Sequence, residues 1–242
     1  MVNGMSMFTE WFKDHQDQFV LIGGTAASIT LNEAGLSFRR TKDLDIVLHL
    51  EALTPAFAES FWAFIEAGGY KLREASQQDR PKMYRFSHPT DDEFPFMIEL
   101  FCRAPNLDGL APGHLVPLPI TEDVSSLSAI LLSDDYYQFI MDGRQFKDGL
   151  PPWISIDRLI PLKAHAWLDM QMRKAQGDQV DSRDIRKHLN DIVRLTGLLS
   201  PSDKVALSDP LASDMRRFIA EASTISGSDI QTALNRIAQA FL

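Results

Sequence analysis

Phe19-Val20-Leu21-Ile22-Gly23-Gly24-Thr25-Ala26, followed after a gap by Arg39-Arg40-Thr41-Lys42-Asp43-Leu44-Asp45-Ile46-Val47-Leu48, is the stretch that decides the fold. An apolar run ends in a Gly-Gly-Thr turn, and a second apolar run carries two aspartates at i and i+2. Alternate strand residues share a face, so Asp43 and Asp45 are expected to point the same way. Two neighbouring carboxylates repel unless cations lie between them. Glycines let a backbone approach a phosphate closely, and a helix N-terminus offers free N–H groups to an anion. Thr25 adds a hydroxyl and is also a candidate cap for a helix over residues 25–33. Metal plus phosphate is the chemistry this arrangement suits.

Working outward, 242 residues suffice for one large domain or two small ones. Hydrophobic residues make up 45% and charged residues 24%, values of an ordinary globular chain. The single cysteine, Cys102, excludes an intramolecular disulfide framework and fits a reducing compartment. It sits at the end of an apolar run, as a small buried hydrophobe does. No stretch approaches the roughly 18 apolar residues that cross a bilayer. Met1 to Met7 lacks a basic leader region, so a cytoplasmic protein with no membrane partner is expected. The net charge of −9 disfavours indiscriminate nucleic-acid binding. That charge is uneven: residues 1–155 carry −10 and residues 156–200 carry +2.

The pattern divides the chain at Pro151-Pro152, into a mixed domain over 1–152 and a helical one over 153–242. In the first, strands are expected at 18–23, 44–50, 70–72, 83–87 and 95–102. A short helix is expected over 5–17, and a second opens at Thr54-Pro55 and stops at Gly68-Gly69. The proline-rich stretch 104–120 reads as loop, and 126–132 with 136–141 as a hairpin turning at Ser133-Asp134-Asp135. Beyond the prolines the period becomes 3.6, with helices at 156–175, 181–199, 209–222 and 227–241. The class is α+β or α/β followed by an all-helical part.

A third acid, Glu99, interrupts Phe96-Met97-Ile98-Glu99-Leu100-Phe101. Burying it unpaired is costly, so it should face a metal, a partner cation or water. Hard divalent ions prefer carboxylate oxygens and leave positions open for phosphates, which makes Asp43, Asp45 and Glu99 candidate ligands. In the helical part, Lys163 lies beside the apolar stripe of its helix, where an ammonium needs an anion or must snorkel to the rim. Lys187 and Asp191 are spaced as an i, i+4 surface pair.

Strand, Gly-Gly-Thr turn, helix, Asp-x-Asp strand and later acid, in that order, resemble the nucleotidyltransferase superfamily of polymerase-beta-like fold. Gly23-Gly24-Thr25 with Arg39-x-Thr41-x-Asp43-Leu44-Asp45 is most similar to its AbiEii branch of type IV toxins. Leu159-Ile160-Pro161-Leu162-Lys163-Ala164 resembles that branch's lysine motif, and the segment holding Lys187 and Asp191 its last motif. The resemblance implies an α+β catalytic domain with a mixed sheet and a helical domain closing a cleft. It implies transfer of a nucleoside monophosphate from an NTP to an acceptor, with release of pyrophosphate, dependent on Mg2+ or Mn2+. Asp43, Asp45 and Glu99 would serve the metals and the catalysis together with Lys163. Gly23, Gly24, Thr25, Arg39, Thr41, Lys163, Lys187 and Asp191 would bind nucleotide. The implied acceptor is a tRNA end, with an antitoxin as protein partner. A small hydroxylated acceptor of the antibiotic type, or an inactive binding module on the same fold, are the other readings.

Overall fold

The computed structural model describes residues 3–39, 41–72, 85–103, 115–117 and 128–242. Two compact units divide the chain, Met1–Ile154 and Ser155–Leu242. The first is α+β and the second is helical. The first unit extends two residues past the diproline, through Trp153 and Ile154. Trp153 pairs with Leu21, and Leu21 N–H donates to the Pro152 carbonyl at 2.8 Å.

The first unit is built on β1 (Phe19–Leu21) and β2 (Asp43–Leu48), antiparallel to each other, with β5 (Met97–Arg103) parallel to β2. The sheet continues through β4 (Arg85–Ser87) and β3 (Lys71–Leu72) on one side. On the other it continues through β9 (Trp153–Ile154) and β8 (Arg144–Gln145). Past the end of β4, β7 (Ser128–Leu132) takes the same edge of β5 and pairs in turn with β6 (Leu115–Pro117). The mixed pairing follows from the connections: α2 (Gly23–Glu33) joins β1 to β2, and α3 (Pro55–Gly68) leads away from β2.

Burial alternates along β5 and over Asp43 to Ile46 of β2, so the sheet has an apolar and a polar face there. Leu44, Ile98 and Phe86 are in register and fully buried. Phe61 of α3 meets Phe86 edge-on, with ring centroids 5.3 Å apart. Phe8 and Phe12 add α1 (Met5–Trp11) to the same aromatic cluster through Phe64. α3 starts as its sequence dictates: the Thr54 hydroxyl accepts from Phe57 N–H at 3.2 Å, Pro55 occupies the first turn, and Gly69 closes the helix at φ +57°.

Two local expectations need correction. The hairpin expected across 126–141 is a strand followed by a helix, α4 (Asp134–Asp142). Ser133 caps that helix, and Asp134 and Asp135 favour the positive end of its dipole. Thr25 does not cap α2, which already begins at Gly23. Its hydroxyl instead donates to the Asp43 carbonyl at 2.7 Å, tying helix to strand. Most of the loop expected at 104–120, and all of 76–80, lie outside the described residues.

The second unit holds α5 (Ile156–Ala175), α6 (Ser182–Thr196), α7 (Asp209–Ala222) and α8 (Ser228–Phe241). Asp181 caps α6 by accepting from Arg183 N–H at 2.8 Å. Trp167, Leu195, Met215, Phe218 and Ile237 form its core. Among the described residues no helix is long and apolar enough to cross a membrane.

Candidate functional site

The polar face of the sheet carries the site. Asp43 and Asp45 lie on β2 at alternate, half-buried positions. The parallel register sets Asp45 beside Glu99, and the antiparallel register sets Arg85 on the far side of Glu99. Asp45, Glu99 and Arg85 therefore run across three strands in one row. Arg85 Nε donates to Glu99 Oε1 at 2.5 Å, and Nη2 reaches the same oxygen. The Glu99 side chain is 12% exposed, so this guanidinium is the cation that makes its burial affordable. Of the partners expected for Glu99, the structure shows the cation.

The glycine turn closes onto the same row. Ile22 N–H donates to the Asp45 carbonyl at 2.9 Å, which presses the turn against β2. Gly23 has φ +65°, and a Cβ there would fall inside the Asp45 carboxylate. A Cβ on Gly24 would lie 2.8 Å from Thr41 Oγ1 and 3.5 Å from an Arg39 guanidinium nitrogen. Both glycines thus let the turn pack against these side chains more closely than a Cβ would allow. The first turn of α2, which begins at Gly23, leaves its N–H groups without intrahelical partners beside these contacts. Six residues marked in the sequence, Gly23, Gly24, Arg39, Thr41, Asp43 and Asp45, are brought together here. Thr25 is fully buried behind them.

Among the described residues, no group of three or more His, Cys, Asp or Glu side chains is arranged to hold a metal ion. Asp43 and Asp45, with Arg85 occupying Glu99, make a two-carboxylate set. That suits a hard ion which keeps most of its positions for water and phosphate oxygens.

The helical unit treats its charged motif residues differently. Lys163 and Asp191 are each 4% exposed, and Lys163 Nζ donates to Asp191 Oδ2 at 2.9 Å. The anion that Lys163 meets within its own unit is therefore Asp191. Lys187 is exposed on the outer side of α6, so it and Asp191 do not share an environment. Cys102 is fully buried and its thiol is pushed up to about 12 by that burial, which leaves it unreactive near neutral pH. Arg85 is the residue that sequence reasoning left without a role. Its signal was the alternation of β4, which places a cation opposite the acid of β5.

No protein-family model matches the chain, and no curated protein matches it. What fold and site define is an α+β protein whose sheet presents acids to a glycine-rich helix start.

Proposed function

We propose that the chain is a metal-dependent nucleotidyltransferase of polymerase-beta-like architecture, moving a nucleoside monophosphate from an NTP to an acceptor. One observation carries the reading: the Gly23-Gly24 turn is packed against Asp45, Thr41 and Arg39 so closely that neither glycine could bear a side chain without displacement. A bare glycine turn opening a helix, set against a guanidinium and beside two carboxylates, is chemistry that suits a metal-bound polyphosphate. The mixed β1–β2–β5 pairing supports the architecture.

Asp43 and Asp45 would hold Mg2+ or Mn2+, which supplies charge neutralisation at the phosphates and at the attacking oxygen. The turn and Arg39 would orient the triphosphate, leaving positioning and electrostatics as the chain's contribution. By its resemblance to AbiEii toxins, the acceptor would be a tRNA end, with an antitoxin partner. A small hydroxylated molecule is the other acceptor class. The Arg85–Glu99 pair favours a second reading, a nucleotide-binding module without transfer, because it occupies the acid that would complete a catalytic set.

The test incubates the protein with Mg2+ and each NTP labelled at the α-phosphate, with total tRNA in one arm and aminoglycosides and lincosamides in another. Label should move to one acceptor class, and Asp43→Asn or Asp45→Asn should cut transfer by roughly 10^3-fold. Transfer unchanged by both substitutions removes the metal assignment. NTP binding without transfer selects the binding module.

A further inference from the structure

We propose that Phe96, with Lys42 and His88, forms a platform on which a nucleobase stacks at the end of the carboxylate strand; the inference rests on the nucleotide reading above. Phe96 is a large hydrophobic residue left 40% exposed. Other apolar side chains are as exposed, among them Leu36 and Phe146, but Phe96 directly precedes β5 where Met97 pairs with Asp43. Continued one step back, that register places Lys42 beside Phe96, and Lys42 Nζ stands 5.4 Å from the ring centroid. His88 approaches the same ring at 4.9 Å and a 62° interplanar angle.

His88 is held there by an unusual backbone. At φ +53° it is the non-glycine residue in the left-handed region among those described. Its N–H donates to the Phe96 carbonyl at 3.1 Å, so the strained residue and the exposed ring are coupled. Strain of this kind persists only where surrounding structure imposes it.

A second cation-on-ring pair lies in the same approach to β2. The Arg39 guanidinium sits 5.1 Å from the Phe38 ring centroid. Segment 38–42 thus sets three basic residues after one aromatic, in a unit that is otherwise acidic. Cations beside exposed rings are the chemistry that holds single nucleotides, the ring taking the base and the cation the phosphate. Strand alternation turns Phe96 away from the carboxylate face, so the base would lie past the sheet end with its phosphates reaching back to the turn.

The ring could stack the base of the NTP or a base of a nucleic-acid acceptor, and one experiment separates them. Wild-type protein, Phe96→Ala and Phe96→Trp are titrated in Mg2+ with tripolyphosphate, with each NTP and with a single-stranded RNA oligonucleotide. Phe96→Ala should weaken NTP or RNA binding about tenfold and leave tripolyphosphate unchanged, with an unaltered melting temperature. Phe96→Trp should keep affinity, and the introduced indole should be quenched by the ligand that stacks. Weakening confined to NTP assigns the donor base, and weakening confined to RNA assigns the acceptor base. NTP and RNA binding both unchanged in Phe96→Ala, with tripolyphosphate still bound, overturns the platform alone. Wild-type protein that binds no tripolyphosphate overturns the polyphosphate site and the platform with it.

Discussion

Asp45 and Asp191 are both aspartates in apolar surroundings, and the two units use them in opposite ways. On β2 the acids are half-buried, and Asp45 lies against a turn whose glycines leave room for its carboxylate. In the helical unit Asp191 is sealed and already holds the ammonium of Lys163 at 2.9 Å. The first arrangement keeps its carboxylates partly exposed to solvent. The second consumes charge in holding α5 to α6. Residue type is the same in both, and burial with a fixed counter-ion makes the difference.

The largest effect that would break this contrast is in the helical unit. Lys163→Met should cost about 3–5 kcal/mol in urea denaturation, because it strands a buried carboxylate. Lys163→Met combined with Asp191→Leu should recover most of that loss, since an apolar pair removes both desolvation penalties. A single substitution costing under about 1 kcal/mol would mean that Asp191 readily reaches water, and Lys163 would then be available to an external anion after all.

Next in size is the glycine turn. Gly23→Ala combines a left-handed φ with a methyl directed into the Asp45 carboxylate. It should cost about 1–3 kcal/mol in stability and abolish measurable NTP binding by calorimetry. Gly24→Ala meets chiefly the Thr41 side chain, which can rotate, so it should be the milder of the two. Equal effects at both positions would show that the space, rather than the backbone conformation, is what the turn protects.

The acidic strand and its glycine turn were legible because strand alternation and glycine geometry are local rules. Asp43 and Asp45 needed only the period of two, and the Gly68-Gly69 stop only its capping chemistry. What escaped was set by partners distant in sequence. Ser133 reads equally as a turn residue or a helix cap, and the burial of Tyr136, Tyr137 and Ile140 at helical spacing decides for the cap. Arg85 meets Glu99 only through strand pairing, and Lys163 meets Asp191 only through helix packing. Nothing within a few residues of Glu99 or Lys163 announces those partners.

The smallest expected effect lies at the other end of β2 and bounds the contrast from between. Glu51 is 45% exposed, like an acid awaiting a ligand, yet its partners are internal. Tyr137 Oη donates to it at 2.8 Å, and Arg103 pairs with its other oxygen. Burial works against the charge, but hydrogen bonds from Tyr137, from its own backbone N–H and from Arg103 prevail and hold the carboxyl below its ordinary 4.5. A carboxyl depressed on folding stabilises the folded state above its unfolded value, and that contribution disappears as pH falls through the folded one. Exposure to solvent keeps it small. Glu51→Gln should therefore lower stability by about 0.5–1 kcal/mol at pH 7, and the gap from wild type should begin to shrink as pH falls below about 4.5. Denaturation curves at pH 7, 5 and 3.5 check this. A gap at pH 3.5 undiminished from pH 7 would assign the contribution to packing of Glu51 rather than to its charge, and would leave Asp191 as the acid whose charge the fold requires.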